Sequence, residues 1–409
     1  MDMTAWTKYF LLSTILLAGC KKPIDPVQPI IPVCRTEPGG PVSSTTVWNL
    51  LPAISTEQPI FKEAEKLYRK VFSSGNYTDV VTKKQYLYTV VADGAENLQF
   101  PTDVAQNPIR PNELWVTNYG ESFKRDYFSK KGNTLTVFNP AQPSQFSVIR
   151  KDKSIFTGHF FSFPTSIAFN RDGYWASTSH KNNNGNNGPT FWTSDFAIYA
   201  DSAKYTLNGS HSSMLHESPI SLGIAADENG TFWVLDGTTG DVVSYNFGKG
   251  HYPGGDDHSD AVIRRYSLPG RISPIMGIPS HVCYDLTSKW LYVVDARQQR
   301  IVRLKTNSGQ KVSSKTGDDK AKEYSIMSSL SEVFLENMPL ELACGIDIDG
   351  ANLYVSDYET GRIGIFSLST KILIGTIDTK NPGIAGLMVL NGSFWFVNSL
   401  QNQLIKIEL

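Results

Sequence analysis

The stretch LGIAADENGTFWVLDGTTGDVV (222–243) sets the fold. An apolar run (222–226) gives way to the polar turn DENGT, then to FWVLD (232–236), then to the tight turn DGTTGD and a third apolar run. Each run is too short for a helix and is rich in aromatic and β-branched residues. Polar four- to six-residue breaks carrying Gly and Asp separate them, which is the pattern of an antiparallel meander. The pattern recurs along the chain. Counterparts of FWVLD are LWVTN (114–118), YWASTSH (174–180), LYVVD (291–295), LYVSD (353–357) and FWFVN (394–398). Strands before them are PTDVA (101–105), PTSIA (164–168), SHVCY (280–284), CGIDI (344–348) and AGLMV (385–389). Strands after them are TLTVF (134–138), FAIYA (196–200), RIVRL (300–304), RIGIF (362–366) and QLIKI (403–407).

The FWVLD-type strands start 41 to 62 residues apart, one propeller blade each with loops of varying length. The expected fold is all-β, a six-bladed β-propeller over 86–409, with a seven-bladed ring as the rival count. The chain ends on the third strand of its last blade. YLYTVVA (86–92) precedes the first and can supply the missing strand, so the ring is closed by an N-terminal strand and leaves no exposed sheet edge there.

The run Gly-Ile-Ala … Leu-Tyr-Val-x-Asp … Arg-Ile resembles the NHL repeat. It is seen in 222–243, in PSHVCYDLTSKWLYVVDARQQRIVRL (279–304) and in CGIDIDGANLYVSDYETGRIGIF (344–366). The resemblance covers the body of the chain and implies a TolB-like or NHL-type propeller. It implies little about activity, since such rings serve as enzymes and as binding platforms. The first two blades depart most, with Asp103 and Ser166 where the repeat has glycine.

Lys+Arg number 38 against 39 Asp+Glu, a net charge of −1 with no single-sign block, so a nucleic-acid partner is not expected. Cys20, Cys34, Cys283 and Cys344 match no zinc spacing, and four in 409 residues make no disulfide scaffold. Cys283 and Cys344 fall one residue out of step on neighbouring strands and are expected to face opposite ways.

Residues 9–19, YFLLSTILLAG, follow a short n-region with one lysine and are too short to span a bilayer. Leu17-Ala18-Gly19-Cys20 resembles the bacterial lipobox, which implies a signal peptide over 1–19 and lipidation of Cys20. Prolines at 23, 26, 29, 32, 38 and 41 make 20–45 an extended tether, and 46–85 is an N-terminal extension with a short helix near 59–72. The expected location is the bacterial cell envelope, lipid-anchored, in the outer membrane if the host is Gram-negative.

The residues at the channel mouth are Asp103, Ser166, Gly223, His281, Gly345 and Gly386. Glycine is the expected filler where six strands crowd an axis; Asp103 and His281 break that rule. Loop topology places His180, His211 and His216 on the same face as His281, the face where the inner strands begin. PSHV (279–282) is similar to a ligand motif of the peptidylglycine amidating lyase, a propeller with zinc held by histidines. That resemblance implies three such histidines on inner strands, and only His281 is present. The candidate metal ligands are therefore His281, His216, His180 and His211, with Asp103 as acid or base and zinc or calcium as the divalent ion. Histidines that are merely hydrogen-bonded are the plainer alternative.

GHYPGGDDHSD (250–260) offers carboxylates for calcium or is a solvated loop. The inserts 119–132 and 179–195 carry Tyr119, Phe191 and Trp192, expected to stack on a ligand. Asp236, Asp295 and Asp357, each ending a strand, read as structural. The expected function is a binding platform for a small molecule, glycan or protein, as a monomer. The alternative is a metal-dependent lyase or hydrolase.

Overall fold

The computed structural model describes residues 53–59, 72–120, 132–152, 161–180, 188–201, 209–254, 257–275 and 277–409. Among these, β1 (Ser73–Asp79) and β2 (Gln85–Ala92) form a hairpin. A meander follows of β3 (Pro101–Gln106), β4 (Glu113–Asn118), β5 (Asn133–Phe138) and β6 (Phe146–Arg150). The next contains β7 (Pro164–Phe169), β8 (Tyr174–Ser179), β9 (Thr190–Thr193) and β10 (Ser213–Met214). The third contains β11 (Ser221–Ala226), β12 (Phe232–Asp236), β13 (Asp241–Asn246) and β14 (Val262–Tyr266). The fourth begins with β15 (Val282–Asp285), β16 (Trp290–Asp295) and β17 (Arg300–Lys305). It is interrupted by the hairpin β18 (Lys311–Ser314) and β19 (Glu323–Met327), then completed by β20 (Ser331–Leu335). β21 (Ala343–Asp349), β22 (Asn352–Asp357), β23 (Arg362–Ser367) and β24 (Leu373–Asp378) form the fifth. The chain ends with β25 (Ile384–Leu390), β26 (Ser393–Asn398) and β27 (Gln403–Glu408).

β2 pairs antiparallel with β27, Tyr88 opposite Ile407, while β1 pairs with β24. One nine-stranded sheet results, β21-β22-β23-β24-β1-β2-β27-β26-β25. The hairpin β18–β19 leaves its own meander and lies on the third, with β19 parallel to β14. Neither that graft nor β1 is apparent from local sequence pattern.

Buried clusters lie between successive meanders, because period-2 alternation sends each strand's neighbours to opposite sides. Phe191 of β9 packs with Phe232 and Tyr245 of the third meander. Trp192 faces the other way, into Trp115, Phe138 and Trp175. The series returns on itself, since Val397 and Leu404 share a cluster with Leu114 and Leu135. Every described element but one 3-10 turn, Gly94–Glu96, is a strand, and the architecture is an all-β propeller.

One strand differs from expectation. TFWT, not FAIYA, is the third strand of the second meander. In 195–200 the Asp195 carboxylate accepts the Ala197 N–H, and the Asp195 carbonyl accepts those of Ile198 and Tyr199, which closes a turn. The helix expected over 59–72 falls, apart from its end residues, outside the described residues, as does Cys20.

Candidate functional site

The inner strands β3, β7, β11, β15, β21 and β25 surround a channel. In five of them the pairing with the second strand slips by a bulge, as between Pro101 and Asp103 or between Ala343 and Ile346. The slip frees backbone N–H groups to bond sideways. Gly223, inside one such slip, donates its N–H to the Ser280 carbonyl (2.9 Å), and His281, just before β15, donates its N–H to the Cys344 carbonyl (3.0 Å). The strands therefore approach closely at this level. A Cβ on Gly223 would lie 2.6 Å from His281 Cα, and one on Gly386 would lie 2.6 Å from Asp103 Cα. That is why glycine fills the ring and why the two exceptions touch each other.

Asp103 and His281 meet through Ser166. Ser166 Oγ donates to Asp103 Oδ2 at 2.5 Å and lies 3.3 Å from His281 Nδ1, while His281 Nδ1 is 3.5 Å from Asp103 Oδ2. Val104 and Ile167 N–H groups also donate to the Asp103 carboxylate (2.9 and 3.0 Å), and Ile224 N–H reaches Ser166 Oγ (3.3 Å). With the serine proton committed to the carboxylate, Nδ1 of a neutral His281 is the ring's donor. Nε2 is then a lone-pair acceptor. His281 is 4% exposed, and its buried Nε2 has no hydrogen-bonding partner. A buried polar atom without a partner costs about 1–3 kcal/mol, so it marks a place where a ligand has something to gain.

His281 and Asp103 line a cavity of about 270 Å³ that runs from the ring along the second halves of the inner strands. It lies beyond the ring on the side the strands run toward, not at the face where they begin, which was the expected location. Ile167, Ile224, Leu387 and Met388 supply apolar wall. Asp347 of β21, two residues on from Gly345, lines it too. Burial raises the Asp347 carboxyl to about 7; N–H donors from Val389 and Ile348 oppose that rise, and the nearby Asp103 charge adds to it. The sequence signal for Asp347 was present in CGIDI, an acid on an inner strand at a position where the other blades hold Ala, Cys or Met.

The remaining candidates are dispersed. His211 is buried edge-on to the Trp192 ring at 6.3 Å. Burial lowers the pKa of His180, whose N–H donates to the Phe163 carbonyl. His216 Nδ1 sits 2.5 Å from Asp319 Oδ1, and His258 Nδ1 sits 3.5 Å from the same oxygen. Burial disfavours the His216 imidazolium, but Asp319 outweighs it and the pKa is raised. His281, His216, His180 and His211 do not come together, and among the described residues no group of three or more His, Cys, Asp or Glu side chains is placed to hold a metal.

In the loop 250–260, the Asp257 carboxylate accepts the Ser259 N–H, while Asp260 accepts from Lys249 and pairs with His251 at 3.2 Å. These carboxylates are turned to neighbours rather than to a common point, and Asp256 lies outside the described residues.

The aromatic candidates are corrected. Phe191, Trp192 and Tyr119 are 4%, 0% and 7% exposed. Trp192 stacks on Trp175 (5.4 Å) and donates Nε1–H to Ser177 Oγ (3.0 Å), and Tyr119 packs against Phe163 (5.1 Å). They are core residues, not ligand platforms. Asp236, Asp295 and Asp357 are structural as expected: Asp357 accepts the N–H groups of Glu341, Leu342 and Glu359, and Asp295 holds Arg300 at 2.8 Å. Cys283 and Cys344 are buried free thiols.

No family model matches the sequence, and no curated protein matches it. Solved structures do. A regucalcin from Agrobacterium tumefaciens, described as a calcium-binding protein, is 11% identical, with 78% of this chain and 92% of that one covered and a TM-score of 0.46. A Bacteroides thetaiotaomicron protein of unknown function is 9% identical, with 82% and 76% covered and a TM-score of 0.48. A streptogramin B lyase is 12% identical, with 82% and 97% covered and a TM-score of 0.44. Nothing about ligand or reaction passes from these proteins to this chain. The meander order is that of an all-β propeller, and the repeated strand motif resembles the NHL repeat.

Proposed function

We propose that the chain is a cell-envelope lipoprotein whose six-bladed propeller is a binding platform, with a small-molecule site in its channel. The six-blade count is supported by dividing the nine-stranded sheet at β1 into two four-stranded blades, the second completed by β2. Closure is supported by Ser399 Oγ donating to the Pro101 carbonyl (2.5 Å) and Phe100 N–H donating to Asn402 Oδ1 (2.7 Å). The anchor is supported by the Leu-Ala-Gly-Cys20 motif behind its apolar run.

The observation that carries the binding reading is the channel cavity itself, lined by Asp103, Asp347 and His281, beside a buried His281 Nε2 that has no hydrogen-bonding partner. Asp103 and Ser166 hold the His281 ring in one orientation, as second-layer groups do in binding sites. The test is a fragment screen by ligand-observed NMR on the native protein and on Ala226→Trp, which puts an indole at a position lining the cavity. Fragments that bind the native protein and not the variant support the channel site. Fragments that bind both equally refute it.

A further inference from the structure

The hairpin β18–β19 belongs to the fourth meander in chain order and to the third in space. β19 runs parallel to β14, with Val262 opposite Glu323 and Tyr266 opposite Met327, and β18 is the outermost strand, exposed at every residue. A two-stranded hairpin is marginally stable at best by itself, so docking on β14 is what orders it. Little of that docking is apolar. Among the described residues of 311–327, Tyr324 is the only hydrophobic side chain that is buried. The other ties are polar or charged: Glu323 holds Arg264 through both oxygens (2.9 and 3.2 Å), and Arg265 Nε lies 3.4 Å from Tyr324 OH. Segments with few buried apolar contacts open ahead of the rest of a fold.

The turn of the hairpin carries a pin. Asp319, between β18 and β19, has a side chain only 3% exposed. Its Oδ2 accepts the His216 N–H (2.7 Å), and its Oδ1 lies 2.5 Å from His216 Nδ1 and 3.5 Å from His258 Nδ1. His216 precedes β11 and His258 precedes β14, so two loops of the third meander close on one carboxylate from the fourth. A carboxylate only accepts, so a ring that bonds to it must donate, and a protonated ring makes that bond about twice as strong. No other cation is placed to take over the role: Asp318 and Glu217 act on His216, Asp257 acts on His258, and Lys315 lies 3.9 Å from Glu217.

We propose that the β18–β19 hairpin is a pH-sensitive strap, latched across the third blade by Asp319 between His216 and His258 and released as those rings lose their proton. Burial opposes charge on His216, but Asp319 outweighs it and raises the pKa, so docking favours the proton. The latch is therefore closed on the acid side of the histidine range and loosens as pH rises through it. Deprotonation leaves a neutral hydrogen bond and a buried carboxylate beside two like charges. Opening uncovers Tyr324, the outer edge of β14 and a cavity of about 200 Å³ that the hairpin turn lines together with Glu217 and Ile263. The strap is independent of the channel site.

Hydrogen exchange of the full chain, read by mass spectrometry and corrected for intrinsic rates, tests this at pH 6 and pH 9, with and without EDTA. Peptides from 311–327 are compared with peptides from 353–366 in the fifth meander, which report the ring as a whole. Opening of the hairpin relative to the fifth meander is expected to rise about 10-fold from pH 6 to pH 9, the margin between a charge-assisted and a neutral hydrogen bond. Asp319→Asn keeps an acceptor for the His216 N–H without the charge, and is expected to open at pH 6 about as readily as the native protein does at pH 9, with little pH dependence. Glu323→Gln breaks an ion pair that stays charged across this range, and is expected to raise opening equally at both pH values. Equal opening of the native hairpin at pH 6 and pH 9, or a pH dependence that survives in Asp319→Asn, overturns the proposal. So does a hairpin that exchanges only in step with the fifth meander. Where Asp319→Asn loosens the fifth meander as well, His216→Gln makes the same comparison, and a pH dependence retained there also overturns it. A pH dependence that EDTA abolishes assigns the histidines to a metal and overturns the latch.

Discussion

Asp347→Asn tests the electrostatics of the channel in the absence of any ligand. The carboxyl titrates at about 7 in the fold against a reference of 3.8. A raised folded-state value means that the fold holds the proton more tightly than the unfolded chain does. The stabilisation is fully present below the unfolded pKa and is lost as pH rises through the folded one. Each unit is worth about 1.4 kcal/mol, so about three units give at most about 4 kcal/mol, reduced by water at the open end of the cavity. Asparagine is permanently neutral and keeps the acceptor for Val389 N–H at 2.7 Å. The variant and the native protein are therefore expected to have similar stability at pH 4. Between about pH 4 and pH 7 the native protein loses ground and the variant does not, with little further change to pH 8, so at pH 8 the variant is the more stable by about 1–4 kcal/mol. Urea unfolding at pH 4, 5, 6, 7 and 8 measures this directly, with the slope of each transition confirming a common unfolded state. Two parallel stability curves would refute the reasoning, as would a variant that is less stable at pH 8.

Three further expectations follow from the fold. Trp192→Ala removes a fully buried indole and its bond to Ser177, and is expected to cost about 3–5 kcal/mol in urea unfolding, a loss no exposed ligand platform would show. Gly386→Ala drives a Cβ into the Asp103 backbone and is expected to cost about 1–3 kcal/mol, while Gly94→Ala, with nothing near its Cβ, is expected to be close to neutral. Cys20→Ala is expected to move the protein from the membrane to the soluble fraction of a bacterial host; retention in the membrane fraction would refute the lipid anchor.

The strands were legible because aromatic and β-branched residues alternate between two packed faces, and few other structures accept that pattern. The glycine ring was legible for a steric reason, since crowding at an axis leaves a mark at one position per repeat. Asp103 and His281 stood out against that mark. Their contact through Ser166 did not, because it spans three blades and depends on bulges that local pattern cannot place. Phe191 and Trp192 were misplaced because their setting, NNNGNNGPTFWTSD, is polar and glycine-containing, whereas their burial is set by the sheets on either side. The histidines were grouped by loop topology alone. His216 and His258 do converge, but on Asp319, which the grafted β18–β19 hairpin brings across from the next blade. A parallel pairing between β14 and β19, about sixty residues apart, has no signature in either segment.

The central claim is that Asp103 and Ser166 fix His281 beside the channel cavity with its proton on Nδ1 and a bare, buried Nε2. Long-range ¹H–¹⁵N correlation spectra of ¹⁵N-histidine-labelled protein report the tautomer of each ring. At pH 8 without ligand, His281 is expected as the Nδ1–H tautomer, and Ser166→Ala is expected to shift the balance between tautomers. A His281 ring protonated on Nε2 in the native protein would contradict the account.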